Sequence, residues 1–210
     1  MIKKHLNILI ITSVVILLPI LAGVMLWDQL PEQIPIHWNM AGEIDDWSSK
    51  SFAVFGLPLI LLSIQWLTVF VISSDPKNKN YSTKVRNMIF WLVPVLDIAL
   101  SAAMYSVALG GKVRVEAFLC VFLGLLFIVI GNYLPKCQQS YTIGIKLPWT
   151  LHSEENWNRT HRMAGRIWVI GGFLILFIGF FKILWLMLPV VLIMTLIPII
   201  YSYILHRKGI

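Results

Sequence analysis

The chain has 210 residues, of which 58% are hydrophobic and only 13% charged, and its formal net charge is +7. Soluble domains carry about 25% charged residues, so this composition excludes an ordinary soluble protein and predicts an all-α integral membrane protein. The positive charge is typical of anchoring beside anionic lipid rather than of nucleic-acid binding. We therefore expect the lipid bilayer, and no nucleic acid, as a partner.

Six apolar segments are long enough to cross a bilayer, whose hydrocarbon core of about 30 Å needs roughly 20 helical residues. They cover residues 6–27, 52–72, 88–109, 117–134, 167–181 and 184–205. Lipid forces each segment to satisfy its own backbone hydrogen bonds, so these unbroken runs predict transmembrane helices rather than a barrel. The first run is too long for a signal peptide and no small-residue cleavage site follows before Trp27, which predicts an uncleaved span.

The basic residues fall mainly on one side of these spans. Of the 17 Lys and Arg residues, only Lys50, Lys112, Arg114 and Lys182 lie on the other side. Cytoplasmic loops carry the excess of Lys and Arg. The sequence therefore predicts a multi-pass protein of the cell membrane with both termini cytoplasmic.

Loop lengths divide the chain into two parts. Residues 1–86 are predicted to form an N-terminal two-helix unit with an outward loop at 28–51, here named the first loop. Residues 87–210 are predicted to form a C-terminal four-helix unit with an inward loop at 135–166, the second loop. Cys120 and Cys137 lie near opposite ends of the fourth helix, about 25 Å apart, which is too far for a disulfide.

The first loop is acidic and has several candidate ligand-facing residues. Pro31 and Pro35 predict an extended entry, and Met40, Ala41 and Gly42 predict a turn. The candidates for the outer, ligand-facing surface are His37, Asn39, Gly42, Asp45 and Trp47. The alternative is that acids remain outside because basic residues are excluded there, with Trp38 and Trp47 as belt residues at the membrane interface.

The second loop carries the greatest density of chemically distinctive residues. Its candidate functional residues are Gly144, Lys146, Pro148, Trp149, Thr150, Trp157, Arg159, His161 and Arg162. Ser153 is suited to cap a helix whose first turn holds Glu154 and Glu155. That helix is amphipathic, is expected at the membrane interface, and can run on into the fifth span. Pro148 and Gly144 predict a bend rather than a helix before it.

Two interpretations of the second loop remain open on sequence alone. It is either an ordered functional element or a structural collar, with Trp149 and Trp157 as interface anchors and the Arg residues as inside-positive anchors. His152 and His161 do not form an H-E-x-x-H motif. His37, Asp45 and Asp46 likewise match no ligand spacing. We expect no metal, no cofactor and no enzyme activity.

Asp97 and Asn132 are intramembrane polar candidates. Asp97 lies inside the third span, where an ionisable side chain has a high free-energy cost. Such a residue is by default a candidate functional residue. Its expected hydrogen-bond partners are Asn132, Tyr105 or Gln65. A proton relay and a structural hydrogen-bonded acid both remain possible interpretations.

Both loops carry a family resemblance. The run LPEQIPIHWNMAGEIDDWSSK resembles a widespread bacterial domain of unknown function. The run GIKLPWTL at 144–151, followed by Trp157 and by Thr160-His161-Arg162, resembles the signature of the SdpI family of bacterial six-span immunity proteins. The family pattern is expected to have an Arg–Thr pair where this chain has Lys146 and Leu147.

The resemblance implies resistance to a secreted antibacterial peptide toxin, which would be the partner at the outer face. For some members it also implies signalling through a soluble cytoplasmic repressor. One alternative is a receptor that sequesters such a repressor without protecting the cell. Another is a small transporter, although no second half matching Asp97 is evident.

Overall fold

A computed structural model describes residues 2–39, 42–77, 82–111 and 114–210. The α-helices are α1 (Ile2–Met25), α2 (Leu57–Ser74), α3 (Thr83–Ala108), α4 (Val115–Tyr133), α5 (Pro148–His152), α6 (Glu154–Phe181) and α7 (Met187–Arg207). A π-helical turn, Phe52–Gly56, leads into α2, and short 3-10 turns, Leu134–Lys136 and Leu184–Leu186, follow α4 and precede α7. Six of the helical segments are long and apolar enough to span a membrane, which confirms the predicted all-α membrane class.

The described residues group into two compact units. The first contains residues 1–73 and 86–118, and the second contains 74–85 and 119–210. The division of the chain at residue 86 stays a prediction about sequence domains. Each compact unit is described separately below.

The first loop contains an antiparallel β-hairpin that was not predicted. Its strands are β1 (Gln33–Trp38) and β2 (Ile44–Ser49), and their register is irregular between Pro35 and Trp38. Ile34 is fully buried and packs with Leu30, Ala53 and Val54 beneath the hairpin. Of the turn predicted at residues 40–42, Met40 and Ala41 lie outside the described residues.

Two prolines inside membrane-spanning helices each free a carbonyl, and a neighbouring helix satisfies it. Proline lacks the N–H that would bond the carbonyl four residues before it. Gln65 Nε2 of α2 donates to the Phe90 carbonyl, four residues before Pro94, at 2.9 Å. Trp168 Nε1 of α6 donates to the Met194 carbonyl, four before Pro198, at 3.0 Å. Lipid offers no water to do this, so these side chains complete the helices.

Glycines allow close contact between α4 and α6. A Cβ at Gly131 would lie 2.9 Å from the Gly165 carbonyl oxygen, and one at Gly172 would lie 2.6 Å from the Gly124 carbonyl oxygen. The two pairs are seven residues apart on both helices, so they mark one continuous seam. Small residues at such crossings let helix backbones approach closely in a membrane.

The second loop is partly helical, and one prediction about it was wrong. Pro148 starts the helix α5 instead of marking a non-helical bend, because the first helical position needs no N–H and suits the fixed φ of proline. The predicted Ser153 cap is confirmed, since its side chain accepts a hydrogen bond from Asn156 N. Helix α6 does run without a break into the fifth span, and it begins 13 residues before the predicted start at 167.

Candidate functional site

The hairpin brings the five candidates of the first loop together. His37 on β1 and Asp45 on β2 are joined by a hydrogen bond of 2.6 Å between Nδ1 and Oδ1, and both side chains are largely exposed at 65% and 41%. Trp47 on β2 is 50% exposed. Glu43, Asp45 and Asp46 are exposed as well. The hairpin therefore presents an acidic surface with one open aromatic ring.

Asn39 and Gly42 shape the tip of the hairpin. Asn39 N donates to the Glu43 carbonyl at 2.9 Å, and Glu43 N donates to Asn39 Oδ1 at 3.0 Å. Gly42 has a φ of +79°, a conformation that favours glycine. A Cβ at Gly42 would approach Glu116 Oε2 to 3.1 Å. Both residues therefore have structural roles in the turn.

A buried lysine fixes the base of the hairpin. Lys50 is 7% exposed, and its Nζ donates to the carbonyls of Leu30 at 3.1 Å and Trp27 at 3.3 Å. It also pairs with Glu32 at 2.9 Å and lies 4.9 Å from the centre of the Trp27 ring. Buried cations need such partners, so Lys50 serves the fold of the first loop.

The SdpI-like motif of the second loop packs around Trp157 and His161. Trp157 is 0% and His161 1% exposed, and their rings stack with centroids 4.1 Å apart. Gly144 has a φ of +114°, and a Cβ there would lie 2.5 Å from His161 Nε2 and 2.7 Å from the Trp157 ring. Burial of this depth rules out the interpretation of Trp157 as an interface anchor.

Hydrogen bonds define how His161 holds the loop. Ile145 N donates to His161 Nε2 at 2.9 Å, and Nδ1 lies 2.8 Å from the Trp157 carbonyl. Since Nε2 accepts and Nδ1 can only donate to a carbonyl, the imidazole is neutral with its hydrogen on Nδ1. Trp157 Nε1 in turn donates to the Cys137 carbonyl at 2.8 Å. The pair thus ties both ends of the loop segment 137–145 to α6.

Thr150 and Trp149 secure the start of α5. Thr150 is fully buried. Its hydroxyl accepts from Leu147 N at 2.9 Å and lies 2.8 Å from the Ile145 carbonyl, to which it donates. Trp149 Nε1 donates to Ser202 Oγ of α7 at 3.0 Å, and the Trp149 ring stacks on His206. These two predicted residues are therefore structural parts of the loop.

Sequence reasoning missed several buried polar residues of this region, of which Asp75 has the most bonds. It is 3% exposed, and its Oδ2 accepts from Tyr141 N and Thr142 N at 3.0 Å and from Thr142 Oγ1 at 2.9 Å. Its Oδ1 accepts from Lys77 N at 2.8 Å. Four donors compensate the buried carboxylate, so Asp75 fixes the loop at residues 141–142. In the sequence, Asp75 could have been noticed as the one acidic residue of a segment, residues 73–87, that otherwise carries Lys and Arg.

Other missed residues extend this network. Lys77 Nζ donates to Gln139 Oε1 at 2.6 Å, and Gln139 Nε2 donates to the Thr150 carbonyl at 2.9 Å. Asn156 of α6 is fully buried and donates to the Ser202 carbonyl of α7 at 3.0 Å. Lys77 and Gln139 lie outside the helices, so no helical periodicity could have identified them from the sequence.

The cationic candidates of the second loop point away from this network. Lys146, Arg159 and Arg162 are exposed, and Arg159 pairs with Glu155 one turn earlier on α6. Nearby, burial raises the pKa of the Cys137 thiol to about 11, so it is an inert thiol at neutral pH.

The intramembrane candidates differ from expectation. Asp97 is fully buried, yet neither carboxyl oxygen has a hydrogen-bond partner. The three expected partners are occupied elsewhere or exposed. Gln65 bonds to Thr12 and to the Phe90 carbonyl, Tyr105 bonds to the Pro19 carbonyl, and Asn132 is exposed.

A metal centre is not assembled by the part of the chain that the structure describes. No three His, Cys, Asp or Glu side chains within it come together as a possible metal site. His37 bonds to Asp45, and His161 uses both ring nitrogens inside the second loop. His152 Nδ1 contacts the Pro148 carbonyl.

Comparison with known proteins gives matches at both ends of the chain. The model of the SdpI/YfhL protein family matches residues 136–202, and that of a domain of unknown function (DUF1648) matches residues 14–62. The chain is 30% identical over 206 residues to Immunity protein SdpI of Bacillus subtilis (strain 168), covering 95% of this chain and 96% of the relative. No solved structure matches.

Proposed function

Since the chain belongs to the SdpI family, we propose that it is a membrane immunity protein that protects a bacterium from a secreted antibacterial peptide. The observation that carries this proposal is the likeness to a named immunity protein along nearly the whole chain. Six described helices long and apolar enough to span a membrane support such an activity in the bilayer. Protection here means binding or excluding the peptide, without a chemical reaction.

The orientation follows from the asymmetry of the basic residues. Both termini and the second loop would be cytoplasmic, and the hairpin would face outward. The acidic surface of the hairpin would then meet a peptide arriving from outside. Glu43, Asp45 and Asp46 would attract a cationic peptide at low salt, and the exposed Trp47 ring offers an apolar contact.

The protective step in this proposal is capture of the peptide as it enters the bilayer. The hairpin makes the first contact, and the helices then hold the peptide in a state that does not depolarise the membrane. His37 and Asp45 support this role because their exposed pair is not needed to bury the hairpin.

A second candidate function is a receptor that holds a soluble repressor at the cytoplasmic face. The exposure of Lys146 and Arg162, in a motif whose Thr150, Trp157 and His161 are buried, favours it. Exposed cationic side chains can recognise an acidic surface on a partner. The two functions are compatible in one protein, and their tests differ.

The first test is expression of the chain in Bacillus subtilis cells that lack their own SdpI. These cells are exposed to the killing peptide secreted by wild-type siblings, and survival is scored against empty vector. We expect survival to rise to the level given by the native immunity protein. Killing equal to that of empty vector, with the protein present in the membrane, would contradict the proposed function.

The second test separates the receptor from the protector. The double variant Arg159→Gln, Arg162→Gln is expected to release a fluorescently tagged host repressor from the membrane while survival stays unchanged. Its matched control is Arg207→Gln, an exposed cation on α7. If the tagged repressor distributes identically with and without the wild-type chain, the receptor function is excluded.

A further inference from the structure

Two residues one turn apart on helix α3 bury three side-chain oxygens that have no hydrogen-bond partner. They are both carboxyl oxygens of Asp97 and the hydroxyl oxygen of Ser101, and the two residues are 0% and 3% exposed. Residues four apart lie on the same face of a helix. Buried polar groups are almost always paired, so this row needs an explanation.

The same face of α3 borders a cavity within the first compact unit. Tyr105, one turn beyond Ser101, is buried and donates from its hydroxyl to the Pro19 carbonyl of α1 at 3.2 Å. The cavity has a volume of about 260 Å³. Its lining residues are Leu18, Pro19 and Ala22 of α1 and Ile98, Ser101, Ala102 and Tyr105 of α3.

The charge state of Asp97 follows from its surroundings. An ionised carboxylate taken from water into an apolar interior costs far more than a neutral acid unless a cation pairs with it. Lys50, a buried cation of this unit, is occupied at the hairpin by Glu32 and two carbonyls, and Arg86 lies 11 residues before Asp97 on α3. Helix α1 contributes only uncharged residues to the cavity, α2 contributes the neutral Gln65 to the core, and Tyr105 is the titratable neighbour on α3.

We propose that Asp97 is an intramembrane proton-binding site, with Ser101 as its hydrogen-bond partner and the adjoining cavity as the access route for lipid-soluble molecules. The bound proton removes the charge, and the resulting carboxylic O–H gains a donor that the Ser101 hydroxyl one turn away can accept. One proton therefore pairs one carboxyl oxygen with the Ser101 hydroxyl, and it removes the charge that would make the second oxygen costly to bury. It goes beyond peptide resistance, because it concerns the resting protein in the bilayer.

The decisive measurement is infrared spectroscopy of the purified chain in lipid vesicles at neutral pH. The wild-type spectrum minus that of Asp97→Asn is expected to contain the carbonyl-stretching band of a protonated carboxylic acid. Asp45→Asn, which alters an exposed acid, is the matched control and should remove only carboxylate absorption. A difference spectrum with carboxylate bands alone at Asp97 would overturn the proposal.

A second measurement does not depend on the folding of a variant. Dicyclohexylcarbodiimide is lipid-soluble and adds the O–H of a protonated acid across one C=N bond, so the proton moves to nitrogen and nothing leaves. Mass spectrometry of the labelled wild-type chain should find the adduct on Asp97. Labelling confined to exposed acids such as Asp45 would exclude the access route. Labelling of both at equal rates by a water-soluble carbodiimide would refute burial. Neither experiment uses the peptide, so either can fail independently of the immunity function.

Discussion

The hairpin of the first loop and the folded segment of the second loop use their polar residues in opposite ways. In the hairpin, His37 and Asp45 are exposed and bond to each other. In the second loop, His161 and Thr150 are buried and bond to backbone groups. The distinctive side chains of the hairpin are exposed to solvent, whereas those of the second loop stabilise the conformation of the loop itself.

This difference distinguishes residues that stabilise the fold of a loop from residues that are exposed on its surface. A buried donor bonded to a carbonyl is expensive to remove, because the partner stays desolvated. An exposed pair contributes little to stability, since water replaces it. Substitutions in the second loop should therefore lower folding stability, and substitutions on the hairpin should alter protection at constant stability.

The largest effect is expected for Gly144→Ala. The new Cβ would meet His161 and the Trp157 ring, and the φ of +114° is strained for any L side chain. Strain and overpacking together predict a loss of about 3 kcal/mol or more, measured as thermal unfolding in detergent. Gly110→Ala is the matched control, because Gly110 has a φ of +83° with open space around it. Equal losses for both variants would contradict the packing described for Gly144.

Asp75→Asn should have the next largest effect. The neutral amide has one acceptor oxygen instead of two, so in either orientation its NH2 group faces at least one of the backbone N–H groups that donate to Asp75. We expect a loss of about 2 kcal/mol and faster proteolysis at residues 141–142. Asp46→Asn on the exposed strand is the control and should change neither quantity. A wild-type unfolding midpoint for Asp75→Asn would show that the loop does not need this carboxylate.

Trp168→Phe tests the carbonyl freed by Pro198. The phenyl ring retains the edge contact with Phe127 but leaves the Met194 carbonyl without its donor, which predicts a loss of about 1 kcal/mol. In that background, Pro198→Ala restores the missing helical N–H and should recover part of the loss. A double-mutant cycle of unfolding free energies measures this coupling. Additive effects would mean that the indole N–H does not compensate for the backbone N–H that Pro198 lacks.

The smallest stability effect is expected for the hairpin pair. His37→Ala and Asp45→Asn should each change the free energy of unfolding by no more than about 0.5 kcal/mol. Survival under the secreted peptide should nevertheless fall several-fold, because these side chains form the proposed contact surface. Thr83→Ala, an exposed substitution at the start of α3, controls for expression. Unchanged survival at matched protein amounts would remove the hairpin pair from the mechanism.

The features predicted correctly from the sequence are the ones set by local information. Length and apolarity fix the six spans, and a serine followed by two glutamates fixes the start of α6 at Glu154. The hairpin was missed because IDDWSS on β2 lacks alternation and Pro35 interrupts β1. Such a strand pair depends on the buried Ile34 and Lys50 rather than on pattern.

The distinctive residues of the second loop were identified correctly from the sequence, but their structural roles were not. Gly144, Trp149, Thr150, Trp157 and His161 were identified as candidates, but their burial depends on partners distant in sequence. Asp75 lies 66 residues before its partner Tyr141, and no periodicity or spacing connects such positions. The partners suggested for Asp97 do not bond to it, because Gln65 and Tyr105 bond to other groups and Asn132 is exposed. The orientation of the chain and the roles of the exposed candidates stay predictions.

The continuity of α6 has a mechanical consequence. Its 28 residues give a length of about 42 Å, which exceeds a hydrocarbon core of about 30 Å. We therefore expect the charged end that carries Glu154, Glu155 and Arg159 to project beyond the acyl chains as a continuous helix. A change in membrane thickness would tilt that helix and displace whatever rests on it, so spin labels near Arg159 should report different depths in short-chain and long-chain lipids.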